Sequence, residues 1–210
     1  MFITFEGIDF SGKTTQAGLA VERLTALGRS VKFIREPGGT ELSERIRSIL
    51  LEKSQIAIDP VSELLLFNAA RAQLVRETIL PALRAGVVVV CDRFYDSTTA
   101  YQGYGRDLPL PEVRAVNAFA SGGTTPDLTL FVDVDPGEIR LRRMKAGGAP
   151  DRMERSGDSF FAKVAEGYRQ IARDEPGRVV VIPGNGSVGE THAAVWAEID
   201  RKLNITRDVL

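Results

Sequence analysis

The chain has 210 residues, of which 43% are hydrophobic and 26% are charged. This length and composition are typical of a globular protein, and we expect a single domain over residues 1–210. With 27 basic against 28 acidic residues the net charge is −1, which excludes a global basic field for holding nucleic acid.

Five short apolar runs are predicted to form buried strands. Each has four or five residues and is rich in β-branched or aromatic side chains, which suits a strand covered on both faces. The runs are residues 2–5, 31–34, 87–91, 128–132 and 179–182. Helical stretches separate them, and the clearest is 60–84, where apolar side chains recur at helical spacing. This alternation predicts an α/β fold of three layers, with a five-stranded parallel sheet flanked by helices.

Chemically suggestive residues follow each predicted strand. In parallel α/β sheets, ligands bind at the carboxyl ends of the strands. The segments that follow the five runs are 7–14, 35–39, Asp92 with Arg93, 133–135 and 183–186. We therefore expect the functional site at this edge of the sheet.

The segment after the first strand matches the phosphate-loop pattern G-x-x-x-x-G-K-[ST] in full. Its glycines allow backbone N–H groups to approach phosphate oxygens, and the next helix adds its positive N-terminal end. The expected ATP-binding residues are Gly7, Ile8, Asp9, Phe10, Ser11, Gly12, Lys13, Thr14 and Thr15. Lys13 is expected to contact the β- and γ-phosphates, and Thr14 to bind Mg²⁺. The motif predicts a P-loop NTPase fold.

Other features of the sequence narrow the class of phosphate-loop protein. The chain has neither the Asn-Lys-x-Asp guanine reader of GTPases nor the Leu-Ser-Gly-Gly-Gln segment of transporter ATPases. Asp92 directly follows the third apolar run and is expected to bind Mg²⁺ through a water. Arg93 follows it in place of an acidic general base, which favours a phosphate group over an activated water as the acceptor.

Several further segments resemble the thymidylate kinase family. They are Arg-Glu-Pro-Gly-Gly-Thr at 35–40, Leu-Leu-Phe-Asn-Ala-Ala-Arg-Ala-Gln-Leu at 65–74, Asp-Arg-Phe-Tyr-Asp-Ser-Thr-Thr-Ala-Tyr-Gln at 92–102, Glu-Gly-Ile-Asp at 6–9 and Asp-Arg-Met-Glu at 151–154. The resemblance runs from residue 2 to about residue 175. It implies a nucleoside monophosphate kinase that uses ATP and Mg²⁺ to convert dTMP to dTDP by in-line transfer, usually as a homodimer, in dTTP synthesis.

The resemblance also implies a dTMP site whose members suit its chemistry. Phe67 and Arg71 lie four residues apart on one helix face, where they imply a ring that stacks on thymine and a donor to its carbonyl. Arg93 is implied as the clamp on the acceptor phosphate, with Arg35 as a second contact. Asp9 is implied as an orienting group and not a general base, because a phosphate acceptor is already ionised.

The rest of the implied dTMP site surrounds the base and the sugar. Ser97 and Thr98 match positions at the base edge, with Thr98 as the partner of the ring N–H. Tyr101 matches an aromatic position that crowds the ribose 2′ carbon and so favours deoxynucleotides. The implied set is completed by Glu36, Pro37 and Gln102. The family also typically has a cis peptide bond before this proline.

A basic segment after the fourth strand is expected to form a lid at about 140–156 that closes over ATP. Its cations are Arg140, Arg142, Arg143, Lys145 and Arg152. Phe10 is neutral at a loop position where some family members carry a cation, so the catalytic cation should come from the lid. Arg143, Lys145 and Arg152 are the candidates, and the uncharged stretch 146–150 leaves the choice open. Arg143 and the loop 183–187 are the expected adenine contacts.

The expected catalytic set is therefore Asp9, Lys13, Arg93, Arg143 and Arg152. Two other functions stay open on the sequence alone. One is another nucleotide or deoxynucleoside kinase of the same fold, although a nucleoside acceptor would need a carboxylate near its 5′-hydroxyl. The other is a regulatory nucleotide-binding module without turnover, against which the intact phosphate loop and the Asp92-Arg93 pair argue.

The sequence predicts a cytoplasmic protein with no membrane partner. Residues 1–7 carry neither a basic region nor a long apolar region, and no stretch approaches the roughly 18 apolar residues of a membrane span. Cys91 is the only cysteine, which rules out an intrachain disulfide and fits a reducing compartment.

Overall fold

The computed structural model describes residues 1–51, 57–147, 152–153 and 156–205. The lid expected at about 140–156 is described in part, since 148–151 and 154–155 lie outside the described residues, and with them Asp151 and Glu154. Within the described ranges, no helix is both long enough and apolar enough to cross a membrane.

Five parallel strands form a single sheet at the middle of the molecule, as the sequence predicted. The strands are β1 (Phe2–Glu6), β2 (Val31–Arg35), β3 (Val88–Asp92), β4 (Leu128–Asp133) and β5 (Val179–Pro183). Their order across the sheet is β2-β3-β1-β4-β5, so β1 occupies the centre. The register aligns Phe5 of β1 with Asp92 on one side and with Leu130 on the other.

Each strand ends one residue later than its apolar run. The first ends at Glu6, and the third runs from Val88 to Asp92 where the sequence predicted 87–91. The apolar pattern marks burial, whereas the ladder of backbone hydrogen bonds continues through the next residue whatever its polarity. The register accordingly pairs Arg35 with Asp92. The ends of four strands therefore hold a charged residue, which is Glu6, Arg35, Asp92 or Asp133.

Helices cover both faces of the sheet. They are α1 (Lys13–Ala26), α2 (Glu41–Leu51), α3 (Pro60–Leu74), α4 (Leu80–Arg84), α5 (Tyr95–Thr98), α6 (Leu110–Ser121), α7 (Pro136–Ala146), α8 (Asp158–Asp174) and α9 (Val188–Leu203). Two π-helical segments, Val75–Ile79 and Thr99–Gly105, follow α3 and α5. The stretch 60–84 is helical throughout, as predicted. Its π segment precedes Pro81, which lacks an N–H and crowds the carbonyl four residues back.

The core is divided by the sheet because successive strand side chains point to opposite faces. On one face, Ile3 and Phe5 pack with side chains of α1 and α9. On the other face, Phe2 packs with Leu74 at the end of α3 and with Ile79 of the first π segment. This arrangement confirms the predicted three-layer α/β fold.

Candidate functional site

The turn from β1 into α1 forms the predicted phosphate loop. Gly7 has φ +144, and a Cβ there would lie 2.8 Å from the carbonyl oxygen of Val132. Gly12 has φ +92 and directly precedes the buried Lys13 that opens α1. These backbone conformations suit glycine alone, and they bring the loop around the positive end of a 14-residue helix. The geometry fits a bound polyphosphate.

Thr14 and Asp92 provide oxygen atoms for a metal ion beside this loop. The Thr14 hydroxyl donates to Asp92 Oδ2 at 2.5 Å. The other carboxylate oxygen, Asp92 Oδ1, is buried and has no hydrogen-bond partner among the described residues. Hydroxyl and carboxylate oxygens are ligands that Mg²⁺ prefers, directly or through water. The orphaned carboxylate oxygen therefore fits the expected Mg²⁺.

Arg93 lies where the phosphate loop meets the rest of the site. It follows β3 with φ +72, a left-handed conformation that is costly for a residue with a side chain and recurs at functional sites. Its Nη1 donates to the Gly7 carbonyl at 2.9 Å, and its Nη2 donates to Asp9 Oδ1 at 2.5 Å. Nη1 also lies 3.1 Å from Ser97 Oγ. One guanidinium thus contacts both the phosphate loop and the segment after β3.

Asp9 carries a negative charge between two cations. Its Oδ1 lies 2.5 Å from Arg93 Nη2 and 3.7 Å from Lys13 Nζ. Partial burial acts to raise the pKa of Asp9, but the charges of Arg93 and Lys13 outweigh it and lower the pKa to about 2. Asp9 is therefore ionised at neutral pH and acts as a hydrogen-bond acceptor for Arg93.

A cavity of about 120 Å³ opens beside Arg93. Its lining residues are Asp9, Glu36, Pro37, Arg47, Leu51, Phe67, Arg71, Arg93, Phe94, Ser97, Thr98, Tyr101, Gln102 and Met153. The structure thus brings together ten of the eleven residues expected for dTMP binding, and the exception is Arg35. The bond between Glu36 and Pro37 is cis, as the family resemblance implied.

Arg71 is 2% exposed, and all three of its guanidinium nitrogens donate hydrogen bonds. Its Nε donates to Glu36 Oε2 at 2.8 Å, and its Nη2 donates to Thr98 Oγ1 at 2.9 Å. Its Nη1 donates to the side-chain oxygens of Asn68 and Asn117 at 3.1 and 3.3 Å. These bonds and the ion pair of Nη2 with Glu36 at 2.7 Å engage all of its N–H groups. Arg71 therefore fixes one wall of the cavity, and a base carbonyl there would share one of its bonds.

Glu36 presents an unpaired oxygen on the same wall. Its Oε2 accepts from Arg71, whereas its Oε1 is buried without a hydrogen-bond partner in the part of the chain that the structure describes. Burial raises the pKa of Glu36, although the charge of Arg71 opposes the shift. A buried acceptor without a partner is costly, so this oxygen suits a donor group on a ligand.

Arg35 was expected to contact the acceptor phosphate, but it does not line the cavity. Its side chain is 45% exposed, and its Nη2 lies 3.1 Å from Glu44 Oε2. Besides Arg71 and Arg93, the cavity is lined by Arg47 of α2, whose Nη1 donates to the Pro37 carbonyl at 2.9 Å. Sequence alone cannot select Arg47, because α2 also carries Arg45 and only the docking of the helix distinguishes the two.

Arg142 of the lid helix contacts the phosphate loop. Its Nη1 donates to the Ser11 carbonyl at 3.0 Å, and its Nη2 donates to the Gly184 carbonyl at 2.7 Å. The sequence left the choice open among Arg143, Lys145 and Arg152, and Arg142 was named only as a member of the basic cluster. A second cavity of about 330 Å³ is lined by Phe10, Ser11, Gly12, Thr15, Gln16, Arg142, Gly184, Gly186, Ser187, Val188 and Thr191. The expected loop 183–187 thus borders a cavity next to the phosphate loop.

Arg152 contacts residues of α2 and α3. Its Nη1 lies 2.5 Å from Glu63 Oε2, and its Nε donates to the Leu50 carbonyl at 2.7 Å. Glu63 carried no signal in the sequence beyond its place in the first turn of α3. Lys145, the third candidate cation of the lid, is exposed on α7.

A buried polar cluster of Glu6, Ser97 and Tyr168 contacts the side chain of Arg93. Glu6 Oε2 accepts from Ser97 Oγ at 2.5 Å and from the Tyr168 hydroxyl at 3.0 Å. Arg93 Nη1 lies 3.2 Å from the same hydroxyl. Burial, together with the charge of Asp96, raises the pKa of Glu6 to about 7. Sequence analysis missed Tyr168, since an aromatic residue on an amphipathic helix is ordinarily a core residue.

Comparisons with known proteins agree with this geometry. The family model for thymidylate kinase matches residues 5–195. The thymidylate kinase of Chlorobium luteolum is 49% identical, covering 97% of this chain and 98% of its own. That of Kosmotoga olearia is 48% identical over 94% of each chain. The solved structure of thymidylate kinase from Ehrlichia chaffeensis matches with a TM-score of 0.78 and 36% identity, covering 95% of this chain and 98% of that one. The chain therefore belongs to the thymidylate kinase family.

Proposed function

We propose that this protein transfers the terminal phosphoryl group of ATP to dTMP and forms dTDP. The observation that carries the proposal is the position of Arg93. Its guanidinium contacts the Gly7 carbonyl of the phosphate loop and also lines the acceptor cavity. A cation at this junction reduces the repulsion between two phosphates and holds them in line, which is most of what phosphoryl transfer requires.

On the donor side, the phosphate loop is proposed to bind the ATP phosphates. Lys13 contacts the β- and γ-phosphates, and Arg142 closes over the loop from α7. The 330 Å³ cavity between the loop and residues 184–188 suits the rest of the nucleotide. Thr14 and Asp92 would hold Mg²⁺, which neutralises phosphate charge when bound.

On the acceptor side, the 120 Å³ cavity is proposed to bind dTMP. The base stacks on Phe67, and the 5′-phosphate lies against Arg93. Thr98 Oγ1 accepts from Arg71, so its hydroxyl hydrogen remains available to the base edge and its second lone pair to the ring N–H. Glu36 Oε1 offers a further acceptor on the same wall. Tyr101 packs beside Asp9 at the sugar, with its hydroxyl 3.3 Å from Asp9 Oδ2.

We also infer that the protein is a homodimer. Helix α3 packs against both α2 and α6. These three helices carry exposed apolar side chains, which are Leu42, Ile49, Val61, Leu65 and Phe119. Phe119 is 84% exposed, and burying a ring of this size against a second chain would be strongly favourable. The cytoplasmic location and the lack of a nucleic-acid partner stay predictions of the sequence.

The test is an ADP-release assay with ATP, Mg²⁺ and a panel of dTMP, dUMP, dCMP, AMP, GMP and thymidine. We expect high activity with dTMP and lower activity with dUMP. The variant R93A should lose turnover of dTMP while it still binds ATP, and the matched control R114A removes an exposed arginine that pairs with Asp174. Unchanged dTMP turnover in R93A would show that the acceptor site is misplaced. Inactivity of the wild type towards the whole panel would favour a regulatory module.

A further inference from the structure

Glu63 is a carboxylate with 0% exposure in the first turn of α3. Three side chains converge on it. Gln102 Nε2 donates to Oε1 at 2.8 Å, Arg106 Nε donates to Oε1 at 3.2 Å, and Arg152 Nη1 lies 2.5 Å from Oε2. Removing a carboxylate from water is costly unless cations and hydrogen bonds surround it. The position of Glu63 therefore fixes the side chains that surround it.

Arg152 joins this carboxylate to the end of another helix. Its Nε donates at 2.7 Å to the carbonyl of Leu50, in the last turn of α2, where helical carbonyls lack intrahelical partners. Its Nη2 lies 3.3 Å from the sulfur of Met153. One guanidinium thus ties the chain at 152–153 to both α2 and α3.

Met153 connects the contacts of Arg152 to the acceptor cavity. The side chain is 5% exposed, belongs to the apolar cluster that contains Tyr101 and Phe160, and lines the cavity. Gln102, bonded to the same Glu63 carboxylate, lines the cavity as well. Two walls of the proposed dTMP site therefore depend on one buried carboxylate.

We propose that Glu63 is a positioning residue for the acceptor nucleotide and that Arg152 is its anchor on the lid side, not a contact of the transferred phosphate. The inference rests on the proposed function, since the cavity that Glu63 shapes is the proposed dTMP site. By holding Arg152, Glu63 keeps Met153 against the cavity. By accepting from Gln102, it orients a second side chain of the same cavity.

The test is steady-state kinetics of the wild type, E63Q, R152Q and the double variant. We expect the KM for dTMP to rise about tenfold in each single variant, while kcat and the KM for ATP change by less than about twofold. Because both substitutions break the same contact, the double variant should resemble E63Q alone. K163Q, which breaks an exposed ion pair with Asp107, is the matched control.

The variant M153A tests the same inference independently, because it removes the cavity-lining side chain and leaves the ion pair between Arg152 and Glu63 in place. It should reproduce the rise in the KM for dTMP even if E63Q fails to fold. The inference is overturned if R152Q lowers kcat about a hundredfold at unchanged KM for dTMP, or if the effects of E63Q and R152Q multiply in the double variant.

Failure of the proposed function is a separate result. A wild type that is inactive with dTMP would refute that function, and hydrogen exchange of the peptide around Met153 would still test the anchor. We expect faster exchange there in E63Q or R152Q than in K163Q. Equal exchange rates in E63Q, R152Q and K163Q would show that Arg152 does not anchor this segment.

Discussion

The Asp9 carboxyl links folding stability to pH. Its pKa is lowered from 3.8 to about 2 because Arg93 and Lys13 outweigh its partial burial. The stabilisation is fully present above about pH 4 and is lost as the pH falls through about 2. We expect D9N to lack this dependence, with a difference of up to about 2 kcal/mol in unfolding free energy between the two ends of the range. Denaturant unfolding of both proteins between about pH 2 and 5 measures it, and parallel curves would contradict the ion pair.

Glu36 gives a prediction about base choice. In E36Q the amide oxygen must face the donors of Arg71, so the NH₂ group takes the place of the unpaired Oε1 in this cavity-lining residue. An acceptor that suits the ring N–H of thymine thereby becomes a donor that suits N3 of cytosine. We expect the preference for dTMP over dCMP, as a ratio of kcat/KM, to fall about tenfold or more.

The control for this measurement is E44Q, which removes an exposed carboxylate paired with Arg35. E36Q should also be less stable by about 3–5 kcal/mol, because the buried Arg71 loses its charged partner. An unchanged preference for dTMP in folded E36Q would show that Glu36 Oε1 does not meet the base.

Single residues were predictable where a motif fixes their neighbours. Phe67 and Arg71 were found because their spacing puts them on one helix face and their segment resembles a known one. Arg47 and Arg142 were not, because each shares its helix with a nearby second arginine and the choice depends on how the helix docks. Glu63 was missed for another reason: a glutamate in a first helical turn is ordinarily a solvated partner of the helix dipole.

At the scale of the secondary-structure element, the turn from β1 into α1 depends on Gly7. In G7A the new Cβ would clash with the Val132 carbonyl and with Ser11 Oγ, 2.8 and 2.9 Å away, at a φ of +144. We expect at least a tenfold loss of ATP affinity, because the loop must shift away from its phosphate-binding shape. Calorimetric titration with ATP measures the change.

G18A is the matched control within α1, since a Cβ at Gly18 meets nothing within 4 Å. It should bind ATP normally and gain about 0.5–1 kcal/mol of stability from its higher helix propensity. If G7A bound ATP as tightly as G18A does, the loop would not be the phosphate site.

Elements were predictable where burial and hydrogen bonding coincide. The five apolar runs located every strand of the sheet, and spaced apolar residues located the helical stretch 60–84. Strand ends were one residue short because a hydrogen-bonded ladder does not stop where polarity begins. The π segment at Val75–Ile79 was not foreseen, since apolar spacing cannot distinguish one extra residue in a turn from a slight rotation of the helix.

At the scale of the whole molecule, the proposed dimer gives a direct prediction. Leu65 is 52% exposed on α3, so an arginine there should be tolerated by one chain and should oppose burial against another. We expect L65R to sediment as a monomer at concentrations where the wild type is a dimer. L27R, which places the same charge at the 48% exposed Leu27, should remain dimeric. A monomeric wild type, or a dimeric L65R, would contradict the proposed interface.

The central place of β1 divides the molecule into two halves with separate tasks. Most groups proposed to face the donor come from the β1 loop and from the β4–β5 side, through Arg142 and Gly184. Most groups proposed to face the acceptor come from the segments after β2 and β3, and Arg93 contacts both sites. Substitutions of cavity-lining residues in α2 and α3 can therefore accumulate without changing the residues proposed to bind ATP. A lineage with this strand order is free to evolve a new acceptor preference while it keeps ATP as its phosphate source.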